Sequence, residues 1–275
     1  DVPVDHTHEV GRLQALGDNM TQEKVDLQRS VVRNERRQSY ENAPYGAADL
    51  ALPEMLWPAG HPYYHPVIGA HADLQAATLQ DVKDFFATWY VPGNAVTVVA
   101  GDFDPAQARA VIESTFGAVP ARQVPQHAVV APYTMQAEVR RLITDKVEFP
   151  KLYLVWHAPA AYADGSAAMD FAARILAGSP SARLDRRLKI DRQLAQDVGA
   201  FLDDRELGSL FQIEVTAAPG ADLEEIKRET LAVLDDLARD GPTAEELARL
   251  KAQFEAGFRQ RAERVLGRAL AMADY

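Results

Sequence analysis

Apolar positions recur at helical spacing over residues 21–40, where Leu27, Val31 and Val32 form part of a stripe, and this predicts a helix. Thr21 is placed to cap it, with Lys24 where a full capping box would carry Glu. Residues 41–75 are interrupted by Pro44, Pro53, Pro58, Pro62 and Pro66, so loop is expected around one short helix near 47–56. Thr78 opens a helix through about Tyr90, ended by Val91-Pro-Gly-Asn94. Ala95-Val-Thr-Val-Val-Ala100 is nearly all apolar and reads as a short central strand. Gly101-Asp-Phe-Asp-Pro105 then turns the chain into a helix over 105–116.

Pro120, Pro125 and Pro132 oppose regular structure and predict a linker at 121–134, between domains at 1–120 and 135–275. Beyond it, 138–144 and 151–157 read as strands, 164–177 and 180–191 as helices, and 210–217 as a strand. Asp222 begins a helix with Leu223, Ile226, Thr230, Val233 and Leu237 on one face, and Glu225 completes a capping pattern. Thr243-x-x-Glu246 is a full capping box, opening one long helix whose stripe runs from Leu247 through Phe254 and Phe258 to Met272. The strand–turn–helix of 95–116 is echoed at 210–239. The expected fold is therefore α+β, with two related domains, each an antiparallel or mixed sheet with helices packed on one face.

A chain of 275 residues with 47% hydrophobic content can support two such cores. Asp and Glu number 40 against 29 Lys and Arg, a formal charge of −11, which excludes a nucleic-acid partner. No apolar run is long enough to span a membrane. Cysteine is absent, so disulfides, thiolate metal sites and thiol nucleophiles are excluded. His61 and His65 have the i, i+4 spacing of helical metal ligands, but Gly60, Pro62 and Pro66 oppose a helix there and predict a proline-locked loop with packed tyrosines. His6 and His8 are expected in a frayed terminus, and His157 as a hydrogen-bonded core or rim histidine. Gln28, Val31, Val32 and Glu35 share one helical face that should point inward. A carboxylate there needs an ion pair, which Arg29, Arg33, Arg36 or Arg37 could supply, or a bound cation; spacing alone favours the ion pair.

Gln28-Arg-Ser-Val-Val-Arg-Asn-Glu35-Arg-Arg-Gln38, followed by Glu41-Asn-Ala-Pro-Tyr-Gly46, resembles the insulinase/pitrilysin family of zinc peptidases. Gly60-His-Pro-Tyr63, Val67-Ile-Gly69, residues 76–94 and Val99-Ala-Gly-Asp102 extend the likeness. In the second part, Ser179-Pro-Ser-Ala-Arg-Leu184 and Gln193-Leu-Ala195 carry it. In that family an inverted His-x-x-Glu-His helix supplies two zinc ligands and the general base, and a downstream Glu supplies the third ligand. The resemblance implies that Glu35 is that third ligand, and that Gln28 replaces a second, assisting Glu.

The His-x-x-Glu-His segment is absent here, and only 34 residues precede Glu35. The chain begins at Asp1 rather than Met. The expectation is a catalytic-half fragment, its first domain truncated at the N-terminus, inactive alone and carrying no catalytic residue of its own. Lys189 and Gln196 stand where the family's non-catalytic half has Arg and Tyr, which favours the catalytic half. The resemblance further implies zinc in the complete protein, peptide substrates within a closable chamber, a second homologous half, fused or separate, and an exported or periplasmic setting. The rival expectation is a catalytically dead structural or assembly subunit of the same family.

Overall fold

Helix starts in this chain lie where short polar side chains can take the first free amides. In the computed structural model, which describes residues 17–126 and 129–274, the Thr21 hydroxyl accepts the Lys24 amide and opens α1 (Gln22–Arg36). A π-helical turn, Arg37–Glu41, prolongs it. Tyr45 then takes a left-handed conformation (φ 65°) before α2 (Gly46–Leu56). Position 46 must be glycine, because a Cβ there would sit 2.0 Å from the Tyr40 carbonyl oxygen. A 3₁₀ turn (Pro62–Tyr64) and the short α3 (His71–Ala76) follow. Thr78 and Asp81 form a reciprocal capping box for α4 (Leu79–Trp89), and Asp104 caps α5 (Pro105–Thr115). The remaining elements are β1 (Lys151–Ala158), α6 (Ser166–Leu176), a π-helical turn Asp185–Asp191, β2 (Ala195–Asp203), β3 (Ser209–Ala217), α7 (Leu223–Asp240), α8 (Ala244–Glu263) and α9 (Val265–Ala273).

The chain is α+β, as expected, but five elements differ from the sequence reading, the first being α3, which begins in a stretch expected as loop. Residues 95–100 and 138–144 form no strand among the described residues. Strand propensity describes how well a side chain fits a pleated, half-buried surface, and Val96 and Leu142 are instead 77% and 90% exposed. Strand β2 was not expected, because Asp197 and Gly199 interrupt its apolar pattern. The final helix is two helices, broken at Arg264, which has extended dihedrals (φ −88°, ψ 134°). Gly267 permits the tight restart, since a Cβ there would lie 2.1 Å from the Arg261 oxygen.

The described residues divide into two compact units. The first draws on Asp1–Gln38, Val67–Val129 and Gly257–Tyr275, and its regular elements among the described residues are helices. The second, Ser39–Pro66 with Val130–Ala256, holds an antiparallel sheet of order β1-β3-β2. On one face Phe211, Ile213, Val215 and Ala217 of β3, with Leu152 and Leu154 of β1 and Val198 of β2, pack on Leu176, Leu184, Leu188, Ile226 and Val233 from the helical side. Each fully buried Leu or Ile contributes roughly 1.5–3 kcal/mol of transfer free energy. The opposite face carries Tyr153, Val155 and His157 of β1, in register with Glu214, Gln212 and Leu210 of β3. Leu56 and Trp57 cover its Leu210 end.

The start of α8 is fixed by charge as well as by its capping box. Arg183 donates two hydrogen bonds to the Glu246 carboxylate (2.8 and 2.7 Å) and a third to the Gly241 carbonyl, while Glu246 also accepts the Thr243 amide. These donors, Arg183 foremost, hold the Glu246 pKa down to about 2. A carboxyl with a depressed folded pKa stabilises above its unfolded value and loses that contribution as pH falls through the folded one. Glu246→Gln should therefore cost about 2 kcal/mol at pH 7. In urea denaturation the difference from the parent chain should shrink steadily from pH 4.5 towards pH 2.

Candidate functional site

Glu35 lies on the last turn of α1, and its side chain is exposed. The face expected to point inward does not: Leu27 is 61% and Val31 49% exposed, Gln28 is exposed, and only Val32 of that set is partly buried. The inward face is the neighbouring one, led by Val25 and by arginines at i, i+4 and i+7. Arg29 donates to the Leu74 carbonyl (2.9 Å) and the Ala77 carbonyl (2.6 Å). Arg33 reaches His71 Nδ1 (3.3 Å) and Gln75 Oε1 (2.8 Å), and Arg36 reaches the Gly69 carbonyl. Carbonyls at the end of a helix have no partner within it, and a guanidinium there satisfies them and suits the negative end of the dipole. The arginines are thus spent on the 69–77 segment. The expected ion pair with Glu35 is not formed, and the carboxylate has no partner among the described residues.

A peptidase zinc needs three protein ligands and an open position. No three His, Asp or Glu side chains come together to hold a metal among the described residues. Glu35 offers one ligand, so these residues do not fit a complete zinc centre. His6, His8 and His127 lie outside the described residues. Lys189 is paired with the buried Asp185 at 3.2 Å, and Gln196 donates to the Ala217 carbonyl at 3.3 Å, so both have structural partners.

The second unit gathers two groups that sequence reasoning missed. Between α2 and the sheet, Asp49 and Tyr153 lie near Glu214, which pairs with Lys151. Burial and then the Glu214 charge raise the Asp49 pKa, and burial raises that of Tyr153. The alternation of Lys151, Tyr153, Val155 and His157 in β1 was the available signal.

The other group surrounds Trp57, which is 3% exposed. Its ring stacks with His61 (centroids 4.3 Å apart) and with His157 (4.6 Å), while Tyr63 and Tyr133 meet the stack edge-on or tilted. The proline-locked loop expected at 61–66 is present: His61 precedes a 3₁₀ turn, and its Nδ1 accepts the Tyr63 amide at 3.0 Å. That assignment leaves the proton on Nε2. His157 is hydrogen-bonded at the rim, as expected: its Nε2 donates to the Leu56 carbonyl at 2.9 Å, leaving Nδ1 bare. Trp57 Nε1, His61 Nε2 and His157 Nδ1 are buried without a hydrogen-bond partner among the described residues. Burial lowers the pKa of both histidines. An imidazolium stacked on indole would gain roughly 0.5–2 kcal/mol, less than the several kcal/mol that an unpaired buried charge costs, so the packed arrangement favours the neutral form of both rings. Trp57-Pro58 just ahead of Gly60-His61 was the local signal for this cluster.

Residues 76–254 match the family model described as the Peptidase M16 inactive domain. The chain is 27% identical over 264 residues to the zinc protease PqqE of Helicobacter pylori, covering 94% of this chain and 58% of that protein. It is 25% identical over 239 residues to an uncharacterized zinc protease of Mycobacterium bovis, covering 85% and 53%. The chain thus spans little more than half the length of these relatives. Among solved structures, a Helicobacter pylori protease superposes with a TM-score of 0.81 at 24% identity, over 98% of this chain and 67% of that one. The periplasmic protease PqqL of Escherichia coli gives 0.74 at 18% identity, over 98% of this chain and 31% of that one. PqqL has also been solved as its first half alone, which aligns over 98% of this chain and 60% of that one with a TM-score of 0.70 at 18% identity. At these identities the structural likenesses establish the fold. No helix among the described residues is long and apolar enough to cross a membrane.

The arginine contacts make a direct prediction. Arg29→Ala leaves the Leu74 and Ala77 carbonyls without their charged donor, at a local cost of about 1–3 kcal/mol. Hydrogen exchange of residues 71–77 should accelerate by one to two orders of magnitude, with sheet amides of β3 unchanged.

Proposed function

Because the chain belongs to the Peptidase M16 inactive domain family, we propose that it is part of a zinc-dependent metalloendopeptidase that degrades or processes peptides within a closable chamber. In this reading it contributes the domain framework and one metal-binding carboxylate, Glu35. The observation that carries the assignment is the state of that side chain. α1 is pinned through its arginine face, and Glu35 remains exposed and unpaired on the free side. The described residues hold no further ligand set, so no catalytic step is assigned to them, and in this reading the chain needs the rest of the complete protein for activity. Zinc, bound in the complete protein, would act as Lewis acid and activate a water. The part of this chain is to hold Glu35 at a fixed place on a helix.

In this reading the chain is the catalytic half, because Lys189 and Gln196 stand where the other half carries Arg and Tyr. The reading includes a linker at 121–134 between two family domains, and a second homologous half, in the same polypeptide or a partner subunit. A periplasmic or exported location follows the periplasmic relative PqqL. A catalytically dead structural or assembly subunit is the competing reading. It is favoured by the match to the inactive-domain family model.

Zinc analysis of the 275-residue chain should give substoichiometric metal and no chelator-sensitive peptide cleavage. The complete parent protein should carry one tightly bound zinc, and Glu35→Gln in it should weaken zinc by at least about 100-fold and abolish cleavage. Tight zinc retained after that substitution would remove Glu35 from the site. A parent protein without stoichiometric zinc would establish the structural subunit instead.

A further inference from the structure

Nothing in the proposed peptidase role uses the stack of Trp57 with His61 and His157, yet its geometry can exist in only one protonation state. We propose that this stack is an acid-released clasp that holds residues 56–64 against β1 and β3. His61 can be protonated only at Nδ1, the atom that accepts the Tyr63 amide, so an imidazolium sets donor against donor and breaks the cap of the 3₁₀ turn. His157 can be protonated only at its buried Nδ1, for which no acceptor is present among the described residues. Each protonation therefore opposes the closed arrangement through a separate contact.

Among the described residues, the groups that enclose the stack are uncharged. The stack is enclosed by Leu56 at the end of α2, by Tyr63 from the turn, by Tyr133 from the preceding irregular segment, and by Leu210 of β3. The charged group beside it is Arg205, whose guanidinium lies over the Tyr63 ring, 5.1 Å from the centroid, and is paired with Asp203. The charge of His157 itself disfavours an imidazolium at His61. No carboxylate contacts either histidine among the described residues. Both folded-state pKa values lie below the ordinary histidine value, so the clasp's contribution is complete above about pH 6.5 and is lost as pH falls through the folded values.

Opening should stay local. α2 has its own anchors in Tyr45, whose amide donates to Asp145 and whose hydroxyl donates to the Phe149 carbonyl. These do not depend on either imidazole. The contacts that open with the clasp are the Tyr63 amide bond to His61 and the Leu207 amide bond to the Tyr63 hydroxyl (3.2 Å).

The test is hydrogen exchange on the 275-residue chain between pH 7.5 and 5.0, corrected for intrinsic exchange. Between the unfolded and folded pKa values, linkage raises the opening constant by up to about tenfold per pH unit for each titrating histidine. The Tyr63, Tyr64 and Leu207 amides should therefore open at least about tenfold more often at pH 5.0 than at 7.5, while the Ile213 and Val215 amides of β3 do not change. His157→Phe keeps a ring beside Trp57 but removes one titrating group, and should reduce the slope towards that of one histidine. Imidazole resonances of the unsubstituted chain give a second measurement that needs no variant: His61 and His157 should titrate below the ordinary histidine value. Flat exchange at Tyr63 across the window, or titration of both rings at or above that value, would overturn the clasp.

Discussion

Strand β3 has a neighbour on each edge and buried side chains on both faces, so its polar backbone can be satisfied only by β1 and β2. The second unit depends on that requirement. Among the described residues its two outer strands pair with β3 alone, and their registers place Leu154 opposite Ile213 and Val198 opposite Val215. With register fixed, the strand period sends Ile213 and Val215 to the helical side and Leu210 and Gln212 to the other. The aromatic stack and the Asp49–Tyr153 group both sit on that other face. Their chemistry follows from where a nine-residue strand must place its side chains.

In the first unit the organising element is α1, whose adjacent faces do different work. Arg29, Arg33 and Arg36 hold the carbonyls and side chains of residues 69–77, so the 71–76 helix is capped from outside itself. Having given its cations to that task, the helix leaves Leu27, Val31 and Glu35 uncovered. An apolar strip beside a lone carboxylate is costly to expose.

Much of this was legible in the sequence where the cause is local. The caps at Thr21, Thr78, Asp222 and Thr243 depend on residues two or three positions away, and α1, α4, α7 and α8 begin where those side chains said they would. The strand at 210–217 was visible because a central strand is apolar on both faces. What depends on a distant partner was not visible. Residues 95–100 have the composition of a strand and no ladder, whereas β2 has a ladder despite Asp197 and Gly199. The same limit applied to the site. Spacing identified the faces of α1 but not which one would be buried, because that was decided by carbonyls about 45 residues further along. The Trp57 stack joins residues 57, 61 and 157, and only its first two members are close in sequence.

The irregularity in β2 between Ala195 and Asp197 has a further effect. β2 is an outer strand among the described residues, and an outer strand is an edge that could recruit an extended segment from another molecule. A bulge increases local twist, so the strand cannot lie flat against a neighbour. Asp197 places negative charge near the start of the strand, and Gly199 leaves its middle without a side chain to interlock. The interruption that hid β2 from its apolar pattern thus protects the sheet from edge-to-edge aggregation.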